Sequence, residues 1–182
     1  MKEKFIEVYD NILPKYLEDS YEKDITSNSY PFLYGTNITY GGAPDRKYSP
    51  AFTVPLCTNN PDFPKSNLNY INQVVHRLSV NLNFSIINII RTKVLLQIPS
   101  INITSDDIHV DLDIPHLVCL YYINDSDGDT ILFDDNNNEI KRVTPKKGRI
   151  VFFDGSIKHC SSPPTKTHRA IINFNILIEK FG

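Results

Sequence analysis

The chain has 182 residues, enough to bury a sizeable core, and its 41% hydrophobic and 22% charged content is that of an ordinary globular protein. A formal net charge of -2 and a pI near 6.2 argue against a dedicated nucleic-acid or membrane-surface binder, leaving only a substrate met through a local patch. No apolar run approaches the roughly 18 residues of a bilayer span; the charged start MKEKFIEVYDNILPKYLED lacks a signal-peptide core, and the three scattered cysteines, Cys57, Cys119 and Cys160, point to free thiols in a reducing cytosolic setting.

In chain order, residues 3–12 and 64–80 are predicted as helices. The second carries Leu68, Ile71, Val75 and Leu78 at helical spacing, with Ser66 or Asn67 as its cap. His76 falls on it and is not taken as a site residue. Between them, NSYPFLYGTNITYGGAPDRKYSP reads as loops and short strands, whose Tyr30, Tyr34, Tyr40 and Tyr48 either line a cleft mouth or pack.

From about residue 85 the character changes. SIINIIRTKVLLQI, HLVCLYYI, TILFD, RIVFFD and RAIINFNILI are rich in β-branched and aromatic residues and read as strands. NDSDGD, DDNNNE, TPKKG and SSPPTKT punctuate them with turn chemistry. LVCLYYI shows no alternation, which predicts a strand buried on both faces. In the last strand Ile172, Phe174, Ile176 and Ile178 form an apolar face, while Arg169, Ile171, Asn173 and Asn175 form a mostly polar one that faces either solvent or a cavity. Lys141, Arg142, Lys146, Lys147 and Arg149 crowd one hairpin, read as a solvated turn rather than an acidic-ligand patch. The expected fold is mainly β with supporting helices, a sandwich or jelly roll. One domain spans 1–182, with 1–84 as mainly helical and loop support and 85–178 as the core.

The candidate chemistry lies in His109, Asp111 and His159. Two imidazoles and a carboxylate on one face of an ion leave open positions for a co-substrate and oxygen. On an extended strand residues i and i+2 project to the same side, so His109 and Asp111 can share one metal. Asp113 is a rival carboxylate of the same parity, and His116 and His168 rival His159. Cys160 is expected on the opposite strand face from its neighbour His159.

The stretch IHVDLDIPHLVCLYYINDSDGDTILFD, followed by VTPKKGRIVFFDGSIKHCSSPP and THRAIINFNI, resembles the 2-oxoglutarate- and iron(II)-dependent oxygenases. The likeness is to their prolyl-4-hydroxylase-like branch and its small stand-alone phage and bacterial members. The matching order is His109 and Asp111, Tyr121-Tyr122-Ile123-Asn124, Gly128-Asp129-Thr130, Pro145 with Gly148 and Arg149, His159, then Arg169. Asp129 departs from a more usual Glu, at a turn. The likeness covers roughly residues 85–178 and implies a double-stranded β-helix, or cupin-like jelly roll. It further implies iron(II) held by His109, Asp111 and His159, and 2-oxoglutarate anchored by Arg169, whose guanidinium fork suits a carboxylate. Tyr122 is placed either on that same carboxylate or in core packing. Gln97 and Arg91 are further candidates on the preceding strand.

The implied reaction uses iron(II), 2-oxoglutarate and O2, with ascorbate as a candidate addition, and hydroxylates a protein side chain such as proline or a small metabolite. Two rival readings are a non-catalytic jelly-roll module and a cupin-type metal enzyme without 2-oxoglutarate. Neither the substrate, set by loops such as 28–62 and 98–108, nor the oligomeric state is readable.

Overall fold

In the computed structural model, which describes residues 5–35, 51–57, 68–82, 84–100 and 106–180, ten strands and two helices are seen among the described residues. β1 (Ile6–Tyr9), α1 (Lys15–Ile25), β2 (Leu33–Gly35), β3 (Ala51–Cys57), α2 (Leu68–Leu82) and β4 (Phe84–Gln97) come first. β5 (Leu117–Tyr122), β6 (Thr130–Phe133), β7 (Glu139–Val143), β8 (Ile150–Asp154), β9 (Lys158–Ser161) and β10 (Arg169–Lys180) follow. They form a seven-stranded sheet, β1-β8-β5-β10-β4-β3-β2, and a three-stranded sheet, β7-β6-β9, with antiparallel pairing throughout. This is the helix-braced jelly roll that the sequence leads one to expect.

β5 shows why its sequence does not alternate. Val118, Leu120 and Tyr122 face the small sheet, joining Leu132, Val143, Val151 and Phe153 in one apolar cluster. Cys119 and Tyr121, with Ile123 beyond them, face the helices, joining Tyr21, Ile25, Val74, Leu78, Phe152, Ile172 and Phe174 in a second. Both faces therefore need apolar side chains. β10 is two-faced in another sense. Ile172, Phe174 and Ile176 pack under the helices, whereas Arg169, Asn173 and Asn175 are buried on the opposite side, so the polar face meets a cavity and not solvent.

Several sequence expectations are corrected. Residues 3–12 do not form a helix: Ile6–Tyr9 is an edge strand in register with β8, Ile6 opposite Phe153 and Tyr9 opposite Ile150. The apolar residues there also fit a period of two, with Phe5 and Tyr9 packing toward the helix-side cluster and Ile6 and Val8 toward the inter-sheet one. Asn11, at φ 58°, turns the chain away, and α1 begins after Pro14, whose fixed φ suits that place. The first 84 residues, expected as mainly helix and loop, thus contribute three strands to the large sheet. Among the α2 side chains that are described, Val74 and Leu78 are fully buried and Val75 partly buried; Leu68 and Ile71, and the proposed caps Ser66 and Asn67, lie outside them. Cys119 and Cys160 are free and buried.

Candidate active site

Residues 106–112 are not a regular strand. His109 forms an isolated antiparallel bridge with His159, each backbone N–H donating to the other's carbonyl at 3.0 and 2.8 Å. The bridge sets the two imidazoles side by side, with centroids 4.7 Å apart. Asp111 follows two residues on, so the i, i+2 geometry survives without a strand. Donor atoms of His109, Asp111 and His159 all lie within 4.8 Å of one another. The imidazoles are oriented alike: His109 Nδ1 lies 2.9 Å from the Asp107 carbonyl and His159 Nδ1 lies 3.2 Å from that of Ile157. A carbonyl only accepts, so each Nδ1 carries the proton and each Nε2 keeps a lone pair for a metal. Burial, against the pull of Asp111, pushes His159 down to about 4 and keeps it neutral.

Asp111 is held from three sides. Its Oδ2 accepts from Asn173 Nδ2 at 3.0 Å and Asn175 Nδ2 at 2.8 Å, and its Oδ1 lies 3.0 Å from Arg91 Nη2. Arg91 in turn donates through Nε to Asn175 Oδ1 at 2.8 Å. Burial opposes ionisation of Asp111, but the interaction with His159, then the positive charges of Lys93 and Arg91 and the Asn173 amide, outweigh it, leaving the carboxyl well below the ordinary range. Lys93, itself buried on β4, is pushed down to about 8 by desolvation, with Asp111 pulling the other way.

At the other end of the cavity stands Arg169, 3% exposed. Its Nη1 donates to Gln97 Oε1 and its Nη2 to Thr130 Oγ1, both at 2.8 Å, and its Nε is buried without a partner. Gln97 is fixed by donating to Asp106 Oδ2 at 3.1 Å and Ser161 Oγ at 2.9 Å, while Ser161 hydrogen-bonds Asp106. Tyr122 stands one step back: its hydroxyl donates to Thr130 Oγ1 at 2.7 Å, and the Arg169 guanidinium lies 5.7 Å from its ring centroid. Lys93, Gln97, Thr130, Arg169 and Asn173 thus line one cavity with the triad.

Of the rivals, Asp113 is exposed and His116 is packed against Gly155, its Nδ1 2.7 Å from the Ile114 carbonyl. Neither they nor His168 joins the described donor cluster. Cys160, expected to face away, borders the cavity, though its thiol stands outside the donor cluster; burial pushes it up to about 11. Tyr30 packs on Phe32 at 4.8 Å between centroids, and Tyr34 is exposed beside Phe52. Tyr40, Tyr48 and much of the loops 28–62 and 98–108 lie outside the described residues. His76 is exposed on α2. In the basic hairpin Lys147 pairs with Asp19 and Glu22, Arg149 and Lys146 with Asp10, and Arg142 with Glu139 and Asp129. These pairings leave little positive charge for an acidic ligand. Lys93, Asp106 and Ser161 are polar residues of the site that sequence reading misses.

The donor set suits a divalent ion of the iron(II) kind, two neutral imidazoles and one carboxylate. The sequence profile of the 2OG-Fe(II) oxygenase superfamily matches residues 104–177, the segment that carries the triad and Arg169. The segment that carries the site is thus a 2OG-Fe(II) oxygenase domain. This oxygenase is therefore a 2-oxoglutarate-dependent dioxygenase that uses iron(II), 2-oxoglutarate and O2. No curated protein sequence matches it significantly. Its fold is similar to that of a Pseudomonas putida prolyl-4-hydroxylase, 13% identical over 97% of this chain and 93% of the other, TM-score 0.62. It is also similar to a Trichoplax adhaerens prolyl hydroxylase solved with a hypoxia inducible factor oxygen degradation domain peptide fragment, 15% identical over 94% and 83%, TM-score 0.69. A viral collagen prolyl hydroxylase of Paramecium bursaria Chlorella virus-1, solved with 2-oxoglutarate, is 15% identical over 95% and 96%, TM-score 0.58.

Proposed function

We propose that this oxygenase hydroxylates an unactivated C–H of a protein side chain, such as proline, or of a small metabolite, releasing succinate and CO2. The observation that carries the reading is one cavity with the His109–Asp111–His159 cluster at one end and buried Arg169 at the other. When bound, iron(II) and 2-oxoglutarate supply the O2-dependent oxidation of the substrate. The chain's own residues place these groups. His109 and His159 offer Nε2, Asp111 supplies the negative charge, and Arg169, steadied by Gln97 and Thr130, takes the distal carboxylate. Tyr122 acts through Thr130. Leu95, Leu120 and Ile171 give the cavity apolar walls that limit water.

The similar Trichoplax enzyme, solved with a peptide fragment, favours a peptide side chain among the substrate classes. No helix among the described residues is long and apolar enough to cross a membrane. The test is Asp111→Ala. Conversion of 2-oxoglutarate to succinate should fall at least about 100-fold, with loss of metal binding. Wild-type turnover in that variant would refute the triad. N-oxalylglycine, an inert 2-oxoglutarate mimic, should bind wild type and compete with 2-oxoglutarate; a cupin-type metal enzyme would ignore it.

A further inference from the structure

Arg91 of β4 and Asn175 of β10 are partners across the two strands. Arg91 Nε donates to Asn175 Oδ1 at 2.8 Å, and Asn175 donates through its own Nδ2 to Asp111 Oδ2, also at 2.8 Å. The amide is thus fixed at both ends, and it aims the guanidinium. Arg91 Nη2 stands 3.0 Å from Asp111 Oδ1 without the alignment of a hydrogen bond, so what reaches that oxygen is charge rather than a directed bond. Asn173 adds a second amide N–H to Oδ2 at 3.0 Å. Asp111 is the one anion of the donor cluster, and all the negative charge it offers an ion is shared with a fixed cation and two amides. Its side chain is 2% exposed, which leaves water little part in screening them.

Such surroundings act unequally on the two oxidation states of iron. Fe(III) carries one more positive charge than Fe(II), so it is repelled more by a nearby guanidinium and gains more from an unshared carboxylate. Hydrogen bonds to a ligand, and charge beside it, are levers by which a protein sets a metal's potential. We infer that Arg91, with Asn173 and Asn175, biases the bound iron toward Fe(II), so that the resting site resists drift into the ferric state in air. This goes beyond the oxygenase reading and rests on it. The step is a one-electron exchange: Fe(II) gives its electron to O2 or a dye and becomes Fe(III), and ascorbate or the reduced dye returns it. Arg91 acts through Asp111 and is a positioning residue.

The test is dye-mediated redox equilibration of the iron-loaded protein under argon, with the ferric share read by electron paramagnetic resonance. Arg91→Met should move the equilibrium about tenfold toward Fe(III), a fall in potential of about 59 mV for one electron. Arg91→Lys, which keeps the charge, should stay within about threefold of wild type. Asn175→Leu, which removes one amide donor and the anchor of the guanidinium, should move it in the same direction as Arg91→Met. A merely structural arginine would change how much iron is bound and leave the ferric share of that iron alone. An unchanged ferric share in Arg91→Met, or a move toward Fe(II), overturns the proposal. So does an equal shift in Arg91→Lys. Loss of iron binding in Arg91→Met also overturns it, since the arginine would then build the site rather than tune it. If wild type bound neither Fe(II) nor N-oxalylglycine, the oxygenase reading itself would fail, an outcome distinct from any change in ferric share.

Discussion

Gln97 carries more of the site than its neutral side chain suggests. It receives Arg169 through Oε1 and is itself aimed by Asp106 and Ser161, so the guanidinium is oriented by a residue that need never touch the reacting carbon. Gln97→Leu should raise the KM for 2-oxoglutarate about tenfold or more and change kcat much less, because ground-state anchoring is what it loses. Metal affinity, read by Mn(II) titration, should stay near wild type. The residues of the triad were legible because His109 and Asp111 share parity and His159 falls in a matching order of motifs. Lys93 was not. With Arg91 it alternates against apolar neighbours, the pattern of a strand's wet face, and only the second sheet turns that face inward. Asn173 and Asn175 left the same question open, which their burial against Asp111 answers.

Among elements, α1 is tied to the turn before β8 by charge. Lys147 bridges Asp19 and Glu22, and Arg149 reaches back to Asp10 at 2.7 and 3.0 Å. The Arg149 hydrogen bonds hold Asp10 below its ordinary carboxylate value. A carboxyl depressed in the folded state adds stability above its unfolded value and loses it as pH falls through the folded one. Asp10→Asn should therefore flatten the acid decline of Tm between about pH 5 and 3, measured by thermal melts across pH. In the same turn Gly148 adopts φ +76°, and a Cβ there would lie 2.0 Å from Glu18 Oε1. Gly148→Ala should cost about 1–3 kcal/mol in urea unfolding. Strands β4, β5, β6, β8 and β10 were plain in the sequence because apolar β-branched runs leave no other reading. Where β1 forms, so short a run satisfies either period, and α1 carries little sequence signal because Tyr21 and Ile25 are its only buried apolar residues amid charge. β7 and β9, short and polar, were absorbed into their turns.

For the molecule as a whole, the two sheets meet in an apolar cluster that draws nothing from a metal, and the ligands grow from its edge. Zn(II) with N-oxalylglycine should raise Tm, corresponding to about 2.7 kcal/mol at a hundredfold excess over Kd. Chelation should return Tm to the metal-free value with an unchanged far-UV circular dichroism spectrum. The reciprocal backbone hydrogen bonds between His109 and His159 explain why: two of the three ligands are stapled together before any ion arrives. Metal release is therefore expected to leave the fold standing, which the chelation melt and spectrum check. Iron lost from such a site should be replaceable without refolding, and activity restored by Fe(II) after chelation is the expected outcome that checks it.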